Sequence, residues 1–507
     1  MRESSRHALA PLPPTPVSQF QTRASIFLAA LLSAAVLLPL LGHKVLADWD
    51  EGIYAEVSRE FLGRSWLVPH WHFQPWFEKP PFALWITAVF YRLFGVNELW
   101  ARFGSALASI GIVALIHAVA LRLLGLLAAW ISTLILLTTF GFLRVARMGE
   151  LDALLTMGCL IALWGLAQLS NGEQRGWYLF WTGFAIAVMT KGAAAVTLPL
   201  TLVVLVIWNP GSRQLGRAFW RGFAIFALLI LPWHLYMLHT FGADVVREYL
   251  GLHVITRATT QMEGHTTPWW YYGKVLLAYT SPWLLLFPFA LWWQTRRREL
   301  REYLVFAIVV LVFFSAVATR SPKYIFPAYP ALALLTGDWL TAHLAERSRR
   351  FLLAATIAAL AAVAASSALT RSLRQSLTTT RSAAGTVLHA DREAQTLLLA
   401  ALRSPQASDL SGPILLWQED TITQLPALLL AVRRPLQQVY LAHYPDTLSQ
   451  ARRYADPEPL QNFVVASPRL ILLEKPLAAQ IPGNMQFTLL AVGNTLEAGT
   501  IQLSERR

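Results

Sequence analysis

The chain has 507 residues, 55% of them hydrophobic and only 14% charged, with 20 tryptophans and a formal net charge of +13. That composition describes an integral membrane protein, and the basic excess does not point to nucleic acid, because the arginines sit in short loops between apolar runs and report orientation instead. A single cysteine, Cys159, excludes an intrachain disulfide and a cysteine-based metal cluster.

Residues 1–25 are Pro-rich and carry Arg2, Arg6 and Arg23. They read as a cytoplasmic tail before a signal anchor at 26–47, whose apolar run is too long for a signal-peptide core. Crossing a ~30 Å hydrocarbon core takes about 20 apolar residues as a helix. Further spans are predicted at 100–121, 126–145, 151–169, 177–190, 193–208, 222–238, 269–293, 303–319, 324–342 and 351–369, eleven with the first. The run 82–94 lies between Pro80-Pro81 and Gly95 and falls short of a crossing. Placed in the interface, it lets three basic clusters face the cytoplasm: Arg213, Arg217 and Arg221; Arg296, Arg297, Arg298 and Arg301; and Arg347, Arg349 and Arg350. The two runs flanking Lys191-Gly192 are short, but Arg175 and Arg213 both prefer the cytoplasm, which asks for an even number of crossings between them.

From about residue 370 the pattern changes to polar stretches with short apolar runs at 413–417, 439–441 and 470–473, bounded by Pro, Asp and Gly. These read as strands. The expected architecture is therefore an α-helical polytopic membrane protein of about eleven transmembrane helices plus interfacial helices over 26–369, with an extracytoplasmic α/β domain at 370–507.

Topological parity puts three segments on one outer face. The first holds Asp50-Glu51, a few residues beyond the first run, with Tyr54, Val57 and Phe61 at helical spacing, followed by Glu78-Lys79-Pro80-Pro81. Ionisable groups beside a bilayer need water, partners or a charged ligand, so such a density of charge marks a functional site. A carboxylate here can deprotonate or orient an acceptor, or stand as a solvated loop acid. Lys79 suits a phosphate, or snorkels to the headgroups. The second segment runs from Arg147 to Asp152, and Asp152, at a helix start, can also serve simply as a cap. Lys191, in Thr190-Lys191-Gly192, ends a helix on the same face. The third segment carries His253, Arg257, Glu263, His265 and an aromatic run at 269–272. His253 and Arg257, four apart, share a helix face; an arginine can clamp phosphate bidentately, and a neutral histidine can bind a divalent metal or only hydrogen-bond at the interface. Lys323, in Ser321-Pro322-Lys323-Tyr324, senses a phosphate or anchors a helix.

The order D-E-G-x-Y-A-E, then F-E-K-P-P, then L-D-x-L-L-T, T-K-G, H-x-x-x-R and E-G-H-x-x-P-W-W-Y-Y resembles polyprenyl-phosphate-sugar glycosyltransferases of the GT-C superfamily. Among these it is similar to aminoarabinose transferases of lipid A and, more distantly, protein O-mannosyltransferases, over residues 45–340. The resemblance implies Asp50 and Asp152 as catalytic acids, Lys79, Arg257, Lys191 and Lys323 as donor-phosphate ligands, and Glu78 with His253 as ligands of a divalent metal ion. Glu51, Tyr54 and His265 complete the substrate site. One departure is Ile53, where relatives commonly carry a basic residue.

The function so implied is inverting transfer of a sugar from an undecaprenyl-type phosphate to an envelope acceptor, a lipid, glycan or protein, at the periplasmic face of the inner membrane. No nucleotide cofactor is required, because the donor is lipid-linked, and the chain has no P-loop or dinucleotide glycine pattern. Two other readings stand beside it: an oligosaccharide ligase using a diphosphate-linked donor, and a lipid or sugar transporter. The transporter is disfavoured because the ionisable residues gather at one face and no inverted repeat is visible.

Overall fold

The structure, a computed structural model, describes residues 19–44, 46, 50–208, 215–260, 268, 270–297, 299–343, 392–407, 410, 412–417, 431–440, 458–464, 468–493 and 496–504. The span expected at 351–369 lies outside the described residues, as does His265.

The first apolar run forms α1 (Gln19–Leu37), which starts and ends earlier than the expected 26–47. Next comes α2 (Asp50–Glu60), opened by two acids that suit the positive end of a helix. A two-residue hairpin, β1 (His70–Trp71) and β2 (Gln74–Pro75), precedes α3 (Phe82–Phe94). The bounds of α3 are those of the run read as interfacial, and Leu84, Ala88 and Tyr91 bury one face of it while Val89 and Phe94 stay exposed. The 27-residue α4 (Glu98–Leu124) is capped by Asn97, whose side chain accepts from the Trp100 amide at 3.1 Å.

The run at 126–145 is not one straight span. It breaks at Thr139 into α5 (Leu126–Thr138) and α6 (Phe140–Ala146), bent by 70°. After α7 (Asp152–Ser170) the chain turns into α8 (Gly176–Lys191), and the two pack closely because their contact is built of glycine: a Cβ on Gly165 would lie 2.4 Å from the Gly176 carbonyl oxygen. A 3-10 turn at Gly192–Val196 leads to α9 (Thr197–Trp208). Two contacts show that the chain reverses there. Lys191 meets Asp152 at the start of α7, whereas the Trp208 ring lies under Arg301, next to Glu302, which binds Ser170 at the end of α7. Both short runs are therefore helices of opposite direction.

α10 (Arg217–Phe241) continues into α11 (Ala243–Val245), a π-helical stretch at Val246–Thr256 and α12 (Arg257–Thr259). The run at 269–293 is divided by Pro282 into α13 (Tyr271–Thr280) and α14 (Phe287–Thr295). α15 (Arg301–Ala316) and α16 (Ala328–His343) follow, joined through a 3-10 turn at Pro322–Ile325. One apolar core runs through α4, α5, α7, α8, α15 and α16.

The C-terminal part contains α17 (Arg392–Leu402) and a six-stranded sheet of order β5-β4-β3-β6-β8-β7. Its strands are β3 (Ile414–Trp417), β4 (Leu436–Tyr440), β5 (Glu458–Pro459), β6 (Arg469–Glu474), β7 (Met485–Val492) and β8 (Leu496–Leu503), with the short α18 (Lys475–Ala478) after β6. The first four are parallel to one another, whereas β8 pairs antiparallel with β6 and β7. This sheet is docked on α2. Ile53, Val57 and Trp71 share an apolar cluster with Leu397, Ile414 and Leu470, and the Leu436 amide donates to His72 Nε2 at 3.0 Å. The docking explains why α2 is buried on nearly every side, Glu56 included, and not amphipathic as its spacing predicts. His72 and Phe73 hold positive φ in the hairpin turn, a strained state for side-chain-bearing residues. It is held by the Leu436 contact on His72 and by Glu60, which accepts from the Phe73 amide at 3.0 Å.

Candidate active site

Four helix ends converge below the docked sheet. Asp50 opens α2, Asp152 opens α7, Lys191 closes α8, and Lys323 sits in the turn before α16. Together with Glu78, Lys79 and Tyr54 they line one open cavity of about 890 Å³. Phe313, Phe314 and Val317 at the end of α15, Leu155, Val254 and Ala258 form its apolar wall. The cavity therefore has a charged end and an oily side. Asp50 and Asp152, far apart in sequence, face the same space.

The charges are arranged in pairs. Lys191 Nζ donates to Asp152 Oδ1 at 2.6 Å and lies 5.3 Å from the centre of the Tyr324 ring. Lys323 Nζ donates to Asp50 Oδ2 and stands 3.1 Å from a Glu150 carboxylate oxygen. Burial pushes the Asp50 carboxyl up, but the Lys323 ammonium, with Lys191 and Lys79 farther off, more than offsets this and holds it well below the usual carboxylate range. Asp50 is thus ionised across the physiological pH range. Burial likewise works against the Lys323 charge, yet Asp50 and Glu150 raise its pKa well above the ordinary lysine value.

Asp152 does not cap its helix: the cap position is Leu151, without a side-chain hydrogen bond. Asp152 Oδ2 is buried without a hydrogen-bond partner among the described residues, an acceptor a substrate group could use.

Glu51 has a different place from the one the resemblance implies. It is 2% exposed and is absent from the cavity lining; both carboxylate oxygens take Arg102, at 2.7 Å from Nε and 2.9 Å from Nη2. Its Oε1 also accepts the Gly149 amide at 2.8 Å, and Arg102 Nη1 reaches the carbonyls of Leu41 and Lys44. One buried ion pair thus ties the end of α1, the start of α2 and the turn before α7 together. Only glycine fits at 149, since a Cβ would come within 2.8 Å of the Ala101 carbonyl oxygen. Gly149→Ala is expected to cost about 1–3 kcal/mol through this overpacking, read as a lowered melting temperature of the detergent-solubilised protein. An unchanged melting temperature would show that the turn yields freely.

Glu78 is buried on the cavity rim, but among the described residues no group of three or more His, Cys, Asp or Glu is placed to hold a metal ion. The side chains of His253 and Arg257 lie outside the described residues, so the metal pair expected from sequence is not made up by what the structure describes. Glu150 and Arg102 went unremarked as site-forming residues. Glu150 stands two positions before an acid already assigned, and the signal for Arg102 is a lone arginine inside the apolar run of α4.

The dolichyl-phosphate-mannose-protein mannosyltransferase family model matches residues 78–236. An undecaprenyl phosphate-α-4-amino-4-deoxy-L-arabinose arabinosyl transferase of Pseudomonas fluorescens is 31% identical over 328 residues, covering 62% of this chain and 57% of that protein. Its counterpart in Shewanella sediminis is 29% identical over 339 residues, covering 63% and 62%. The chain thus spans about three fifths of the length of these curated relatives. The crystal structure of ArnT from Cupriavidus metallidurans bound to undecaprenyl phosphate superposes with a TM-score of 0.68 at 21% identity, over 96% of this chain and 98% of that one. The fold is that of ArnT, and the resemblance to aminoarabinose transferases and O-mannosyltransferases read from the motifs is borne out.

Proposed function

We propose that this chain is an inverting membrane glycosyltransferase that moves a sugar from a polyprenyl phosphate to an envelope acceptor. The observation that carries the reading is the divided cavity: apolar along α15, with three lysines and three acids at its end. A polyprenyl tail fits the first part and a sugar phosphate the second. Displacement at the anomeric carbon needs positive charge on the departing lipid phosphate and a carboxylate toward the incoming nucleophile. Lys79, Lys191 and Lys323 line the cavity for the first task, and we assign Arg257 to it as well. Asp50 serves the second, orienting the acceptor and taking its proton once Lys323 turns from Asp50 toward the phosphate. The bond from the acceptor oxygen to the anomeric carbon then forms as the bond to the lipid phosphate oxygen breaks.

The site end is assigned to the periplasmic side of the inner membrane and the opposite end to the cytoplasm. Arg122, Arg175, Arg217, Arg221, Arg296, Arg297 and Arg301 support this, because all lie toward the opposite end, as expected of cytoplasmic loops. By the same assignment residues 1–25 are the cytoplasmic tail, 26–369 the membrane domain of about eleven spans, and 370–507 an extracytoplasmic domain that braces α2.

Loss of one charge-assisted contact costs about 1.5–3 kcal/mol, or roughly 10- to 150-fold in affinity. Lys79→Ala is therefore expected to weaken binding of undecaprenyl phosphate by that factor in nanodiscs, with expression and insertion intact. Absence of undecaprenyl phosphate binding by the parent protein would overturn the donor assignment. Mass spectrometry of envelope lipids and glycans with and without the gene then identifies the product.

A further inference from the structure

The ends of α4, α7 and α15 that lie away from the charged cavity enclose a space of their own. It measures about 310 Å³ and is lined by Arg122, Gln168, Asn171 and Tyr303, with Leu123 and Trp164 on its apolar side. Its depth follows from the helices. At ~1.5 Å per residue, roughly 24 Å of α7 separates Asp152 from Gln168, most of a ~30 Å hydrocarbon core. The space therefore sits at the headgroup level of the leaflet opposite the charged cavity.

Two of its polar groups are buried and unpaired. Tyr303 is 1% exposed, and neither its hydroxyl nor Gln168 Oε1 has a hydrogen-bond partner among the described residues. Buried polar groups are nearly always bonded, so two such atoms bordering one space mark a place for a ligand. They ask for different things: the amide oxygen can only accept, whereas the phenol can donate. An occupant must bring a donor to Gln168. The mouth adds charge. Arg122 stands 3.4 Å from Glu173, which Arg175 holds more closely at 2.6 Å, so two arginines share one glutamate. On α15, Arg301 lies over the Trp208 ring and the buried Glu302 accepts from Ser170, which leaves the tally at one cation in excess. An exposed pair such as Arg122 and Glu173 is worth little and yields readily to a phosphate.

We propose that this space holds the headgroup of an anionic, hydroxyl-bearing phospholipid of that leaflet, of the phosphatidylglycerol class. Arg122 takes the phosphate, Gln168 Oε1 accepts from a glycerol hydroxyl, and Tyr303 donates to a glycerol or phosphate oxygen. The acyl chains lie along Leu123 and Trp164. Basic pockets between spans at this depth suit anionic headgroups. An ethanolamine headgroup supplies a donor but no net charge, and choline supplies neither. The inference does not depend on the sugar-transfer reading of the first cavity.

The test uses the full chain, delipidated in dodecyl maltoside and titrated in mixed micelles with dioleoyl phosphatidylglycerol, phosphatidylethanolamine or phosphatidylcholine. Native mass spectrometry counts bound lipid while the melting temperature is followed in parallel. Phosphatidylglycerol is expected to bind saturably, at least tenfold more tightly than the other two, and to raise the melting temperature. Arg122→Gln should weaken it at least fivefold. Tyr303→Phe removes only an unpaired hydroxyl, so the lipid-free variant should melt no lower than the parent while its phosphatidylglycerol affinity falls several-fold. A merely structural tyrosine would show the opposite, a lower melting temperature and unchanged lipid affinity. Equal affinity for the three lipids, as expected if water alone fills the space, or parent-like phosphatidylglycerol affinity in both variants, would overturn the proposal. So would glycerol 3-phosphate binding as tightly as the lipid, since the chains would then contribute nothing. If Arg122→Gln fails to fold, Tyr303→Phe decides alone.

Discussion

Asp50→Asn is expected to lower sugar transfer by roughly 10²- to 10⁴-fold, the range in which general base catalysis contributes, while donor binding stays near the parent value. The separation follows from the geometry. Asp50 touches Lys323, but the lysines assigned to the phosphate are three, and Lys323 keeps Glu150 as a second anionic neighbour when the Asp50 charge is removed. Nor should Asp50 introduce an acid limb near neutrality. A carboxyl with a depressed pKa contributes stability that is present above the unfolded value of about 4 and is lost only as pH falls through the folded value. Transfer and undecaprenyl phosphate binding measured on one nanodisc preparation check the expectation. Equal loss of both would make Asp50 a donor ligand instead.

The largest expected effect on stability is at Arg102. Arg102→Leu leaves Glu51 buried without its bidentate partner, and breaking a buried pair from one side costs about 3–5 kcal/mol. Replacing both members by leucine removes the stranded charge, so the double variant should regain part of the loss. Thermal unfolding of the two variants and the parent in detergent provides the comparison. A single variant that melts with the parent would mean that water reaches Glu51, and the pair would no longer explain how the turn before α7 is tied to α2. Activity is expected to fall with stability in Arg102→Leu, because Asp50 is the neighbour of Glu51 and Glu150 the neighbour of Gly149.

The ends of the site were readable where local rules fix them. Pro80-Pro81 and Gly95 delimit α3 on both sides, and the acids of α2 and α7 stand at helix starts that hydropathy locates well. Apolar runs bounded by turn residues likewise placed β3, β4 and β6 within a few positions. Pairing was not readable. Lys191 finds Asp152 39 positions away and Lys323 finds Asp50 273 positions away, and no local pattern says which lysine meets which acid. The break at Thr139 escaped notice because Thr138-Thr139 and Gly141 stand inside an otherwise apolar run long enough to cross as one helix, whereas Pro282 could have announced the division of 269–293. Glu51 was misplaced for a related reason: two adjacent acids look alike in sequence, but on a helix they point about 100° apart, one toward the cavity and one toward Arg102.

The hydrogen bond between His72 and Leu436 joins residues 364 positions apart. At the ribosome's ~5–20 residues per second, roughly 20–70 s separate the emergence of these two groups. For that interval the face of α2 bearing Ile53 and Val57 has no sheet to cover it, and the strained hairpin lacks one of its ties. Membrane insertion and catalytic competence are therefore separate events in the life of the chain. A nascent or truncated molecule can already sit in the bilayer with its cavity outlined, yet the helix carrying Asp50 becomes rigid only when the last strands have been made.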